Sequence, residues 1–134
     1  MKYILFLFVF TISFIVNAQN SSDAYYVSDI SNLSEIQITA SGLNALAKEY
    51  GFTADFSEFK VQKAEDHYVL LAKDLAQKWI YAFELKNISS KLYIDIDKHI
   101  NACESEKLSI DVFTISEGEI SGCIQSELHV LGRN

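Results

Sequence analysis

The chain has 134 residues, 49 % of them hydrophobic, and its 18 acidic side chains against 11 Lys and Arg give a formal net charge of −7. That much apolar content excludes a disordered chain, and an acidic surface argues against nucleic acid and anionic membrane surfaces while permitting a basic partner. Two cysteines and no proline leave a chain of one domain, with no repeat or low-complexity tract.

Residues 1–18 have the pattern of a secretory signal. Lys2 supplies the positive start, Ile4–Val16 is an almost unbroken apolar run, and Val16-Asn17-Ala18 offers small residues for cleavage. The run is short for a membrane span and ends in the polar stretch Gln19–Asp23. The mature chain is expected to begin near Gln19, in a secreted or periplasmic location, without stable membrane insertion. Loss of Lys2 with the signal takes the net charge from −7 to about −8. Residues 19–134 then form a single domain.

Gln19–Asp29 is expected to be a loose lead-in, and Ile30–Thr39 has no clear period. Leu43–Tyr50 is the best helix. Ser41 or Gly42 can cap it, Leu43, Leu46, Ala47 and Tyr50 share a face, and Gly51 stands where a helix-ending glycine belongs. Strands are predicted at Phe59–Lys63 and Tyr68–Lys73, with turns at Ala64-Glu65-Asp66 and Asp74–Gln77.

The strongest signal is Trp79–Asp97. Trp79, Tyr81, Phe83 and Leu85 fall at every second position, as do Leu92, Ile94 and Ile96, and period two marks a strand. Folding about Asn87-Ile88-Ser89-Ser90 pairs Leu85 with Leu92, Phe83 with Ile94 and Tyr81 with Ile96. Ala82, Glu84, Tyr93, Asp95 and Asp97 then form a wet or half-wet face. An amphipathic helix over 66–84 competes, but the aromatic and β-branched content favours strands. Leu108–Ser116 and Ile120–Leu131 make a last pair around Glu117-Gly118, with Gly122 suggesting a bulge. The expected fold is α+β: one short N-terminal helix packed on an antiparallel meander of about six strands.

The order Tyr68–Lys73, Trp79–Leu85 and Lys91–Asp95, followed by two late cysteines, resembles small secreted bacterial β-rich proteins of unknown function. The resemblance spans roughly residues 59–123 and implies no activity.

Cys103 and Cys123 are the only cysteines. In an exported chain an even count points to a disulfide, here closing a loop worth about 3 kcal/mol in the chain-entropy model. Hairpin pairing should place Cys123 near residue 112. Asp95, Asp97 and His99 would share one face of a continuing strand and could bind a divalent cation. Glu106 follows Asp95 at the spacing of a calcium loop, but Ile100 stands where that loop needs glycine, and a strand precedes it. The favoured reading is the wet face of a strand running into a turn. His67 and His129 lack a neighbouring nucleophile pattern, and Asp111, Glu117 and Glu119 read as solubilising charge. Asn20, Asn32 and Asn87 head glycosylation sequons that matter only in a eukaryotic source. No cofactor is called for. The expectation is an acidic exported binding domain without catalysis, an inhibitor or immunity-type protein being one form. A small metal-dependent hydrolase using Asp95, Asp97 and His99 is the alternative, and a structural envelope component a third.

Overall fold

The computed structural model describes residues 25–132 apart from Leu75 and Gln77; the signal and its cleavage point lie outside the described residues. Nine strands and one α-helix occur among the described residues: β1 Tyr26–Asp29, α1 Ala40–Glu49, β2 Phe56–Ala64, β3 His67–Asp74, β4 Trp79–Ile88, β5 Lys91–Ile94, β6 Ile100–Glu104, β7 Phe113–Ser116, β8 Glu119–Cys123 and β9 His129–Leu131. The α+β class with an antiparallel sheet is as expected. The strand count exceeds six, and only β2 to β5 form a simple meander.

The helix begins earlier than the apolar period suggested. Thr39, not Ser41 or Gly42, is the cap: its hydroxyl accepts the Gly42 N–H at 3.0 Å, satisfying one of the orphan donors of the first turn. At the other end Gly51 takes φ +89°, the left-handed conformation that glycine adopts without steric cost. Leu43, Leu46 and Ala47 are buried against the sheet.

Seven strands form the main sheet, in the order β1-β5-β4-β3-β2, with β6 also pairing β4 and β9 pairing β6. The residues at 66–84 are two strands joined by a turn, not a helix. In that turn Asp74 is buried, and its carboxylate accepts the Ala76 N–H at 3.0 Å. The lead-in contains β1, whose middle residues Val27 and Ser28 are buried and whose backbone pairs with β5. Its four residues are too few to show a period within a polar stretch.

The opening hairpin forms in a register different from the one expected. Leu85 faces Ile94, Asn87 faces Leu92 and Ile88 faces Lys91, so each partner is shifted by two residues. The loop is Ser89-Ser90 alone, with φ of 54° and 68°, and Asn87 Oδ1 accepts the Ser90 N–H at 3.0 Å. A two-residue turn with both centres left-handed matches the twist of paired strands, which outweighs the wider loop suggested by polarity. Phe83 therefore faces Leu70 and Tyr81 lies between Ala72 and Ala102. The even shift leaves every side chain on its expected face.

The second face is half-wet at Glu84, Tyr93 and Asp95 and exposed at Asp97, but Ala82 on it is buried. Tyr81, Phe83 and Leu85 join the core under α1, while Ile80 and Ala82 join a second core with Val69, Leu71 and Phe113. The second core is closed by the excursion between β6 and β9. Here the predicted strand Leu108–Ser116 is a 3-10 turn over Ile110–Val112 followed by β7. Ser109 starts that turn by accepting the Asp111 N–H. Ile120–Leu131 divides into β8 and β9, which lie in different sheets. The β7–β8 ladder shifts register between Thr114 and Ile115, opposite Gly122.

Candidate functional site

Strand β5 stops at Ile94, and with it the alternation that would align Asp95, Asp97 and His99. Asp95 turns the chain instead: its carboxylate accepts the Asp97 N–H at 3.1 Å and its carbonyl the Lys98 N–H at 3.2 Å. The Tyr50 hydroxyl lies 3.2 Å from the carbonyls of both Ile96 and Lys98, fastening this turn to the end of α1. His99 lies against Gly132, where a Cβ would come within 2.9 Å of the ring. Among the described residues no three His, Cys, Asp or Glu side chains gather so as to hold a metal ion. Glu106 sits elsewhere, 3.2 Å from Lys78.

Cys103 in β6 and Cys123 at the end of β8 stand at disulfide distance, their Cα atoms 5.8 Å apart. That spacing is normal for a bridge. Cys123 faces Phe113 across the β7–β8 ladder, one residue from the expected neighbour. Cys103 is buried within the second core and Cys123 is half-buried beside it.

Two turns distant in sequence meet at one end of the molecule. Ala64 and His67 close the β2–β3 hairpin around Glu65-Asp66, and Ser116 and Glu119 close the β7–β8 hairpin around Glu117-Gly118. Glu65, Glu117 and Gly118 take φ of 55°, 53° and 79°. A Cβ on Gly118 would stand 3.1 Å from His67 Nε2 and 3.5 Å from Glu65 Oε2, so the two turns lie close together, and the second turn favours glycine for its conformation. Glu65, Asp66, His67, Glu117 and Glu119 are all exposed. The two turns thus meet at Gly118, beside His67 and Glu65, and carry four exposed acidic residues between them. In the sequence, His67 stands alone and Glu117 and Glu119 group with Asp111 as solubilising charge. Nothing there signalled that Glu65 and Asp66, some fifty residues earlier, would join them.

A shallow hollow of about 460 Å³ lies by the disulfide, lined by Glu104, Glu106, Asp111, Val112 and Ile124 among others. Its charges are largely answered: Lys78 pairs with Glu106 and Lys107 with Asp111 at 3.7 Å. Both pairs are exposed, so each contributes little to stability. His129 packs edge-on against Trp79, ring centroids 4.5 Å apart.

No protein-family model, curated protein or solved structure matches this chain. Among the described residues no helix is long and apolar enough to cross a membrane, and the cysteine pair at disulfide distance is compatible with an extracellular location.

Proposed function

We propose that the protein is a non-catalytic binding domain that acts outside the cytoplasm and docks a basic partner through the tip formed by the β2–β3 and β7–β8 turns. The observation that carries this reading is the meeting of two acidic turns at Gly118, beside His67 and Glu65, with Glu65, Asp66, Glu117 and Glu119 all exposed on them. The overall charge of −7 supports it by favouring encounter with a cationic surface. An inhibitor or immunity-type role is one form such docking takes.

The test is titration of the folded protein with a short Lys/Arg-rich peptide, followed by backbone amide shifts. Shifts should centre on residues 65–67 and 117–119, and affinity should fall as salt screens the charges. Glu65→Gln/Asp66→Asn/Glu119→Gln should weaken binding about tenfold or more, roughly 0.5–1 kcal/mol for each exposed charge. Binding that ignores both salt and these substitutions would refute the proposal.

A further inference from the structure

Ser105–Leu128 is an excursion inserted between β6 and β9, two strands that pair directly with each other. It has its own two-stranded sheet, which shares no ladder with the main one. Its apolar side chains, chiefly Leu108, Phe113, Ile115 and Ile120, cover Val69, Leu71, Ile80 and Ala82 on the back of the main sheet. Among the described residues several polar ties cross this junction: the Ser105 N–H donates to the Lys78 carbonyl at 3.0 Å and Lys78 pairs with Glu106 at 3.2 Å on the exposed surface. Gln62 Oε1 accepts the Ile110 N–H at 2.6 Å, and Lys73 Nζ donates to the Glu106 carbonyl at 2.9 Å. The covalent tie is Cys103–Cys123, which joins the cover's last strand to the main sheet.

We propose that Ser105–Leu128 is a cover latched by the Cys103–Cys123 disulfide, and that reduction of the latch by a dithiol lets the cover open as a unit and bares the apolar back of the main sheet. The main sheet keeps its ladders, its strand order and its core under α1 without the cover, because none of these passes through the β7–β8 sheet. The two sulfurs differ in access, Cys103 being buried and Cys123 half-buried. A thiolate of the dithiol attacks Cys123 Sγ, the protein S–S bond breaks, and Cys103 leaves as a thiolate that takes up a proton. The reductant's second thiolate then displaces Cys123, which is released as a thiol while the reductant closes its own disulfide. Two electrons pass from the dithiol to the protein.

Hydrogen–deuterium exchange on the mature chain, oxidised and after reduction with excess dithiothreitol, tests this. Amides of 110–124 should exchange about a hundredfold faster once the loop constraint is gone. Amides of β3 and β4 should keep their protection, and reoxidation should restore the cover. Cys103→Ala/Cys123→Ala should reproduce the reduced pattern without reductant. Equal loss of protection in β3 and β4 would overturn the proposal, since the cover would then not be a separate unit. An unchanged cover in protein shown by alkylation to carry two free thiols would overturn it equally.

Discussion

Tyr26 and Asp29 show how one contact fixes a titration. The Tyr26 hydroxyl donates to Asp29 Oδ1 at 2.6 Å across the short strand β1. The hydrogen bond to that carboxylate, with desolvation and the like charge that ionisation would create, pushes the phenol up to about 12 from its ordinary 10.0. The sign follows from linkage: the folded state holds the proton more tightly than the unfolded chain. The contribution to stability is therefore complete below about pH 10 and is lost as pH rises from there through about 12. Asp29→Asn should return one tyrosine ionisation toward 10, read by ultraviolet difference titration; an unchanged titration curve would contradict this assignment. The pair was not legible in the sequence, because a tyrosine and an aspartate three apart meet only if the backbone between them is placed. By contrast, the helix-ending role of Gly51 was legible, since it depends on local geometry alone.

At the scale of the element, β4 was found from its period, and what surrounds it was not. Period two identifies a strand and separates its faces, so Tyr81, Phe83 and Leu85 were grouped correctly. It says nothing of what covers the other face, and Ala82 became core only because residues 105–128 fold over it. Register depends on which residues take left-handed dihedrals, and Ser89-Ser90 carries no glycine to announce them. Those serines are strained relative to Asn-Gly, which favours the same turn. Ser89→Asn/Ser90→Gly should stabilise the fold by about 1 kcal/mol, raising the melting temperature without altering the Leu85–Ile94 pairing. A lower melting temperature would show that the turn is not held as described. Asn87 continues to accept the residue-90 N–H in that variant, because the donor is backbone.

For the molecule as a whole, composition and cysteine count carried most of what could be known early. Two cysteines in a chain with a signal-like start implied a bridge, and the structure places them at bonding distance. The acidic tip was not foreseeable, because its two turns are joined only through the packing of the β7–β8 sheet beside β2 and β3. The Asp95–Asp97–His99 alternation was visible in the sequence, and the strand it continues runs into a turn directly after Ile94. Export remains a proposal carried by residues 1–18. Mass spectrometry of the native protein should find a chain starting near Gln19, and a full-length, membrane-embedded chain would refute it.

The turn that parts Asp95 from His99 has a consequence for how this chain tolerates insertion and deletion. Strands β5 and β6 run in the same direction along the same edge of β4, one after the other. Ile94 faces Leu85 and Asn101 faces Ala82, so seven steps on one side answer three on the other, leaving four residues looped out. In effect β5 and β6 are a single long strand with a four-residue eversion. Since four is even, removing that many residues would fuse the halves with each side chain still on its own side of the sheet. Deletion would cost the Tyr50 hydroxyl its two carbonyls. The same point, exposed at Asp97, Lys98 and His99, is where a foreign peptide could be spliced in with both flanking ladders intact.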